Sequence, residues 1–291
     1  MTTTRSCSVK LLRITQRVVT GKPQGVRALA SADPETFRDY LLESEQFSTL
    51  ALVLVADVPF DAAAASEELL SSRDFGSQSS ANREELQKLV RMINSANIAR
   101  EMAWEHAGTR VTEDVHASLL RRLWSNLTGG EKQIGEWTRL GFQNKLTPYS
   151  DFRSEGLLAL HCLLAAREIL GERTESIMSR SEIFGFATLS VNVTNWVRLM
   201  LMDKREKLID KLFYFDPNEF DRSPQSICLG VFAWLHWRVF EAFLDFWETY
   251  GYPSVLSFGP VSEEFKGGLA RVVSSLKPPV ECYEGTADYL I

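Results

Sequence analysis

Three observations predict an all-α fold. Apolar residues recur at helical spacing from residue 82 to about 275. Capping and stop residues bracket those stretches where helices should begin and end. The richest apolar run, Ile227 to Tyr250, carries aromatics on several sides, as a helix buried on several sides must. The reading is one helical domain in the C-terminal half, preceded by a mixed or helical N-terminal region and a basic tail.

The elements follow in order. Residues 1–32 hold Arg5, Lys10, Arg13, Arg17, Lys22 and Arg27 and no Asp or Glu, in a chain whose net charge is -6. This composition predicts a basic arm that makes few contacts with the rest of the chain. It is also the composition of a mitochondrial transit peptide. Residues 33–81 form an N-terminal segment. Phe37, Tyr40, Leu41 and Leu42 suggest a short helix, while Phe47 to Val58 reads equally as a buried strand or a core helix. Ser71 to Ala81 is polar and serine-rich and is read as a linker and domain boundary.

Residues 82–291 form the helical domain. Asn82 caps a helix carrying Leu86, Leu89, Val90 and Ile93 and stopping near Gly108. Thr112 caps the next, with the stripe Val115, Leu119, Leu120, Leu123 and Trp124, and Gly129-Gly130 end it. Further helices are predicted over Glu155 to Gly171, Val191 to Met202, and Ile227 to Tyr250. The longest apolar stretch weighed as a membrane segment, Leu50 to Val55, is interrupted at Asp57 and Pro59, far short of the roughly 18 residues required.

Several chemistries are disfavoured. Net acidity and an aromatic run with only Arg238 beside it argue against nucleic-acid binding. No phosphate-cradling glycine motif and no nucleophile elbow is present. His106, His116, His161 and His236 fall singly and read as structural; no spacing of Cys7, Cys162, Cys228 and Cys282 makes a zinc site. No metal and no cofactor is expected. The cysteine usage fits a reducing compartment.

One stretch stands out. Between Trp137 and Leu160 lie a Gly, two aromatics, the turn Thr147-Pro148-Tyr149-Ser150 and the triplet Asp151-Phe152-Arg153. Ser150 or Asp151 can cap the following helix and Phe152 can anchor it. Arg153 then lies near a helix start, where a cation needs an anion to hold it. Asp151 or a partner's anion can serve, and on physics alone a local carboxylate is favoured.

Trp137-x-x-Leu140-Gly141-Phe142-Gln143, then Pro148, Asp151-Phe152-Arg153 and Gly156-x-Leu158-x-Leu160, resembles the signature of the ELMO (engulfment and cell motility) domain. His116, Leu120 and Trp124, the segment Val191-Asn192-Val193-Thr194, and Phe240 to Trp247 agree with it. The resemblance covers about Thr112 to Ser275. It implies a helical ELMO domain with its core over 112–275. It also implies one of two activities. Small members activate GTP hydrolysis by Arf and Arf-like GTPases through the Arg that corresponds to Arg153; large members are scaffolds for an exchange partner. This short chain keeps the Arg and is similar to the small branch, in its divergent third subgroup.

Arg153 is then the expected catalytic residue, with Gln143, Asp151, Trp137 and Phe142 expected to orient it or bind the partner. The alternative is a non-catalytic adaptor in a cytoskeletal, ciliary or trafficking assembly, with residues 1–32 on an acidic surface such as a microtubule or an anionic membrane. Either implies a cytoplasmic location, with cytoskeletal or ciliary association. The chain departs from the pattern at Asn144 and Ser154, where the family usually has Gly, and by one extra residue before Pro148. A Gly at 154 would allow a conformation that Ser154 resists.

Overall fold

The computed structural model describes residues 24–284 apart from 73, 76–78, 204–208 and 252–253. Residues 1–23, which hold most of the basic tail, lie outside the described residues, as does Cys7. Among the described residues there are helices and no strands. The chain divides into two compact units: residues 1–97 with 214–219, and residues 98–213 with 220–291.

The first unit contains α1 (Gln24–Ala30), α2 (Pro34–Glu43), α3 (Ser48–Ala56), α4 (Ala62–Ser71) and the first part of α5 (Ser80–Gly108). Asp33 caps α2 by accepting from the Thr36 amide at 2.9 Å, and Asp61 caps α4 through the amides of Ala63 and Ala64. Phe37, Tyr40, Phe47 and Phe75 pack ring against ring in the core. Arg91 on α5 holds Asp216 with two parallel hydrogen bonds of 2.7 and 2.6 Å, and Ser95 Oγ donates to the Phe215 carbonyl, so residues 214–219 belong here.

Three expectations are corrected in this unit. Residues 24–30 are not free tail: Ala28 and Leu29 are buried in the core, because α1 supplies an apolar edge despite its lone cation Arg27. The Ser71 to Ala81 stretch is not a boundary. Phe75 within it is fully buried, the helix starts at Ser80, and the units divide at Asn97, inside α5. Asn82 is therefore no cap; Ser79 precedes the helix, and its hydroxyl accepts from the Asn82 amide at 3.3 Å. Phe47 to Val58, left open between strand and helix, is mostly α3.

The second unit contains the end of α5, then α6 (Glu113–Leu127), α7 (Gly156–Leu164), α8 (Ala166–Leu170), α9 (Thr174–Arg180), α10 (Phe186–Met202), α11 (Pro224–Thr249), α12 (Phe258–Ser274) and α13 (Glu281–Glu284). The expected helix over Glu155 to Gly171 is interrupted at Ala165, and Gly171 turns the chain out at φ +57. Ser223 caps α11, with Pro224 at its first position. α11 is the central helix, packed against α7, α8, α10, α12 and α13. It is long and apolar enough to cross a membrane, yet 83% of its most apolar window is buried in the protein, which marks a core helix. Phe186 stacks on Trp237, whose Nε1 donates to the Cys162 carbonyl at 2.9 Å.

Candidate functional site

The site lies in the second unit, in the loop between α6 and α7. A 3₁₀ turn, Trp137–Leu140, leads to Gly141 at φ +78. A Cβ on Gly141 would stand 2.1 Å from the Phe186 nitrogen, so only glycine allows this approach. The Gly141 carbonyl accepts from both the amide and the hydroxyl of Thr188 on α10. Asn144 then turns the chain: its Oδ1 accepts from the amides of Leu146 and Thr147 at 2.9 and 3.1 Å. A second 3₁₀ turn, Pro148–Arg153, follows.

Under this loop run four aromatic rings in sequence, Trp124, Trp137, Phe142 and Phe152, with centroids 5.4 to 5.6 Å apart. Trp137 and Phe142 are each 3% exposed. Of the two roles expected of them, orienting Arg153 or binding a partner, burial rules out direct partner contact. Burial against Trp124 and Phe152 makes them the floor that supports the loop.

Asp151 does not pair with Arg153 and caps no helix, which corrects two further expectations. Its carboxylate is turned inward, accepting from the Gln143 amide at 2.6 Å and from the Ser150 hydroxyl at 3.2 Å. Arg153 is exposed, and its Nη1 donates to the Ser150 carbonyl at 3.2 Å. The cation closes the C-terminal end of a 3₁₀ turn, where free carbonyls favour it. The guanidinium borders a cleft of about 170 Å³ lined by Gln143, Asp151, Arg153, Ser154, Thr188, Val191 and Asn192. A larger groove of about 640 Å³, walled by Arg139, Met178, Ile183 and Phe184, shares Gln143 and Thr188 with it. Gln143 is exposed on the rim, and its side chain makes no hydrogen bond to Arg153.

Ser154 has ordinary helical backbone angles, φ -92 and ψ -33. The demand for glycine falls at Gly156, at φ +47, where a Cβ would lie 2.4 to 2.8 Å from the carbonyls of Thr109, Ala107 and His106. The neighbouring Leu157 amide donates to Thr109. Between these two positions lies Glu155, which the sequence reading passed over. It is fully buried, and its carboxylate accepts from Asn195 Nδ2 and Arg198 Nε, each at 2.6 Å, and from Arg198 Nη2 at 3.1 Å. A signal existed: Arg198 is the lone charged residue in α10, and a cation in so apolar a helix needs a partner.

No cluster among the described residues can hold a metal. His236 is buried between the hydroxyls of Ser190 and Thr194. Burial pushes its pKa down to about 3, and that of His161 likewise, so both are neutral structural groups. Thr112 is the N-cap residue of α6, as expected, but its side chain makes no capping hydrogen bond; its own amide donates to His116 Nδ1 at 3.1 Å. Burial raises the thiols of Cys162, Cys228 and Cys282, which keeps them protonated.

The loop, its aromatic floor and its mooring on α10 fall inside one region of known character. The family model of the ELMO/CED-12 family matches residues 102–262, more than half of the chain. The chain belongs to the ELMO/CED-12 family. The ELMO match spans Arg153 and both its flanking carboxylates, together with α6 to α11. No curated protein and no solved structure matches the chain significantly. ELMO domains are associated with GTPase-regulating assemblies and generally interact with small GTPases.

Proposed function

We propose that this ELMO domain is a GTPase-activating module for an Arf or Arf-like GTPase, to which Arg153 is supplied in trans. One observation carries the reading. Arg153 presents an exposed guanidinium at the edge of a cleft, tied among the described residues only to a backbone carbonyl, while the backbone on both sides of it is anchored. A structural arginine would have its fork engaged inside the chain. GTP hydrolysis spreads charge over the transferring phosphoryl oxygens, and a planar guanidinium stabilises it with paired hydrogen bonds. The nucleotide and its magnesium belong to the GTPase. The departures at Asn144 and Ser154 do not distort the loop: Asn144 Oδ1 accepts from the Leu146 amide and Ser154 has helical backbone angles.

The test is a turnover assay over a panel of GTP-loaded Arf-family GTPases, with Arg153→Lys beside wild type. Lysine keeps the charge and loses the fork. The variant should lose most of an acceleration of about 10³ to 10⁵ while half-saturating concentration stays the same. Equal acceleration by the two proteins would end the assignment of Arg153. If wild type accelerates no member of the panel, the adaptor reading replaces this one. That reading draws on the exposed apolar side of α3, with Leu52 71% and Val55 61% exposed, and on the basic residues 1–23.

A further inference from the structure

Glu155 has an environment that folding alone does not require. A fully buried carboxylate with a bidentate arginine is often no more stabilising than an apolar pair of the same volume. What the pair adds is geometry. The bonds to Asn195 and Arg198 fix both carboxylate oxygens, and through them the backbone two residues after Arg153. The anchor is α10, which also supplies Thr188, Val191 and Asn192 to the cleft that Arg153 borders. Thr188, Asn192, Asn195 and Leu199 repeat at helical spacing, so cleft wall and anchor share one side of one helix. On the other side of Arg153, Asp151 holds the Gln143 amide. The arginine rides between two inward-turned carboxylates, and among the described residues its side chain makes a single hydrogen bond.

We infer that Glu155 is a positioning residue: its clamp on Asn195 and Arg198 holds the Arg153 backbone over the cleft, so that the guanidinium is presented there with the Ser150 carbonyl as its one hydrogen-bond partner among the described residues. This rests on the proposed role of Arg153. A fork that must meet a phosphoryl group within fractions of an ångström cannot be carried by a loose loop; a misplacement of about 1 Å can cost about 10²-fold in rate.

The test uses the full chain and Glu155→Gln, with Arg198→Lys as a second variant in case the first folds poorly. Gln keeps the shape and removes the charge; Lys keeps the charge and removes the fork. Hydrogen exchange reads the clamp without any GTPase. Amides 152 to 157 should exchange at least about tenfold faster in the variants while those of α11 keep their wild-type rates. Unchanged exchange at 152 to 157 overturns the clamp. Single-turnover hydrolysis with the GTPase identified by the panel reads the positioning. The saturating rate should fall by about 10²-fold with the half-saturating concentration unchanged, and Glu155→Gln should cause no further fall in an Arg153→Ala background. Faster exchange with a wild-type rate overturns the positioning role, and so does an equal fall in the Arg153→Ala background. If wild type accelerates no Arf-family GTPase, the proposed activity fails, and the exchange result alone decides whether the clamp exists.

Discussion

Gly156 and Ser154 stand two residues apart in the loop that carries Arg153, and they should tolerate opposite changes. Gly156→Ala adds a Cβ against three backbone carbonyls at a positive φ, and none of those atoms is the movable end of a side chain. The cost should be about 3 kcal/mol or more, measured by denaturant unfolding. Ser154→Gly restores the residue usual in the family at a position with helical angles, so it should cost about 1 kcal/mol or less through chain entropy. A larger loss at 154 than at 156 would show that the loop takes a different path. The site was only partly legible at this scale. Arg153 and Gln143 stood out by resemblance and are exposed. Trp137 and Phe142 stood out with them; their burial, which rules out direct contact with a partner, depends on Trp124 and Phe152, which the sequence does not bring together. Glu155 passed unnoticed because its partners lie 40 and 43 positions away in α10.

At the scale of elements, α11 was read nearly to its ends because aromatics around the whole helix leave it nowhere to lie except the core. Trp237 illustrates the consequence. It is fully buried, stacked on Phe186 and hydrogen-bonded to the α7 backbone. Trp237→Ala should lower stability by about 3 to 5 kcal/mol, because the cavity adds to the lost transfer energy and the Cys162 carbonyl loses its donor. A loss below about 1 kcal/mol in a thermal or denaturant melt would mean that α11 is not the centre of this unit. The loop between α6 and α7 was legible as a turn but not in shape. Its path is set by the backbone contact of Gly141 with Gly185 and Phe186, and such contacts leave no periodic trace. The same blindness hid α1, whose seven residues give too short a pattern to stand against the neighbouring basic composition.

For the whole molecule, acidity should be destabilising before most carboxylates titrate. His161 and His236 have folded-state pKa values near 3, below the unfolded value of about 6.5, with burial as the main cause. Above pH 6.5 both states hold them neutral, and the stability they contribute is fully present. Between about 6.5 and 3 the unfolded chain takes up protons that the folded chain refuses. Stability then falls by about 1.4 kcal/mol per pH unit for each histidine. Tm should therefore drop steadily from pH 7 to pH 4, and His161→Phe should make that slope shallower. Parallel slopes for variant and wild type would remove His161 from the account.

The division at Asn97 has a bearing on how this protein can be cut. The first unit closes with residues 214–219, which the chain supplies only after most of the second unit has been laid down. A gene fragment beginning at residue 98 would carry Asp216 away from Arg91 and orphan a nearly buried carboxylate. A fragment beginning at residue 102, where the family match starts, would also discard Arg100, whose guanidinium donates to the Leu201 carbonyl and binds Asp210. The two units are interlaced along the chain, so a single cut at residue 97 parts the first unit from its own residues 214–219.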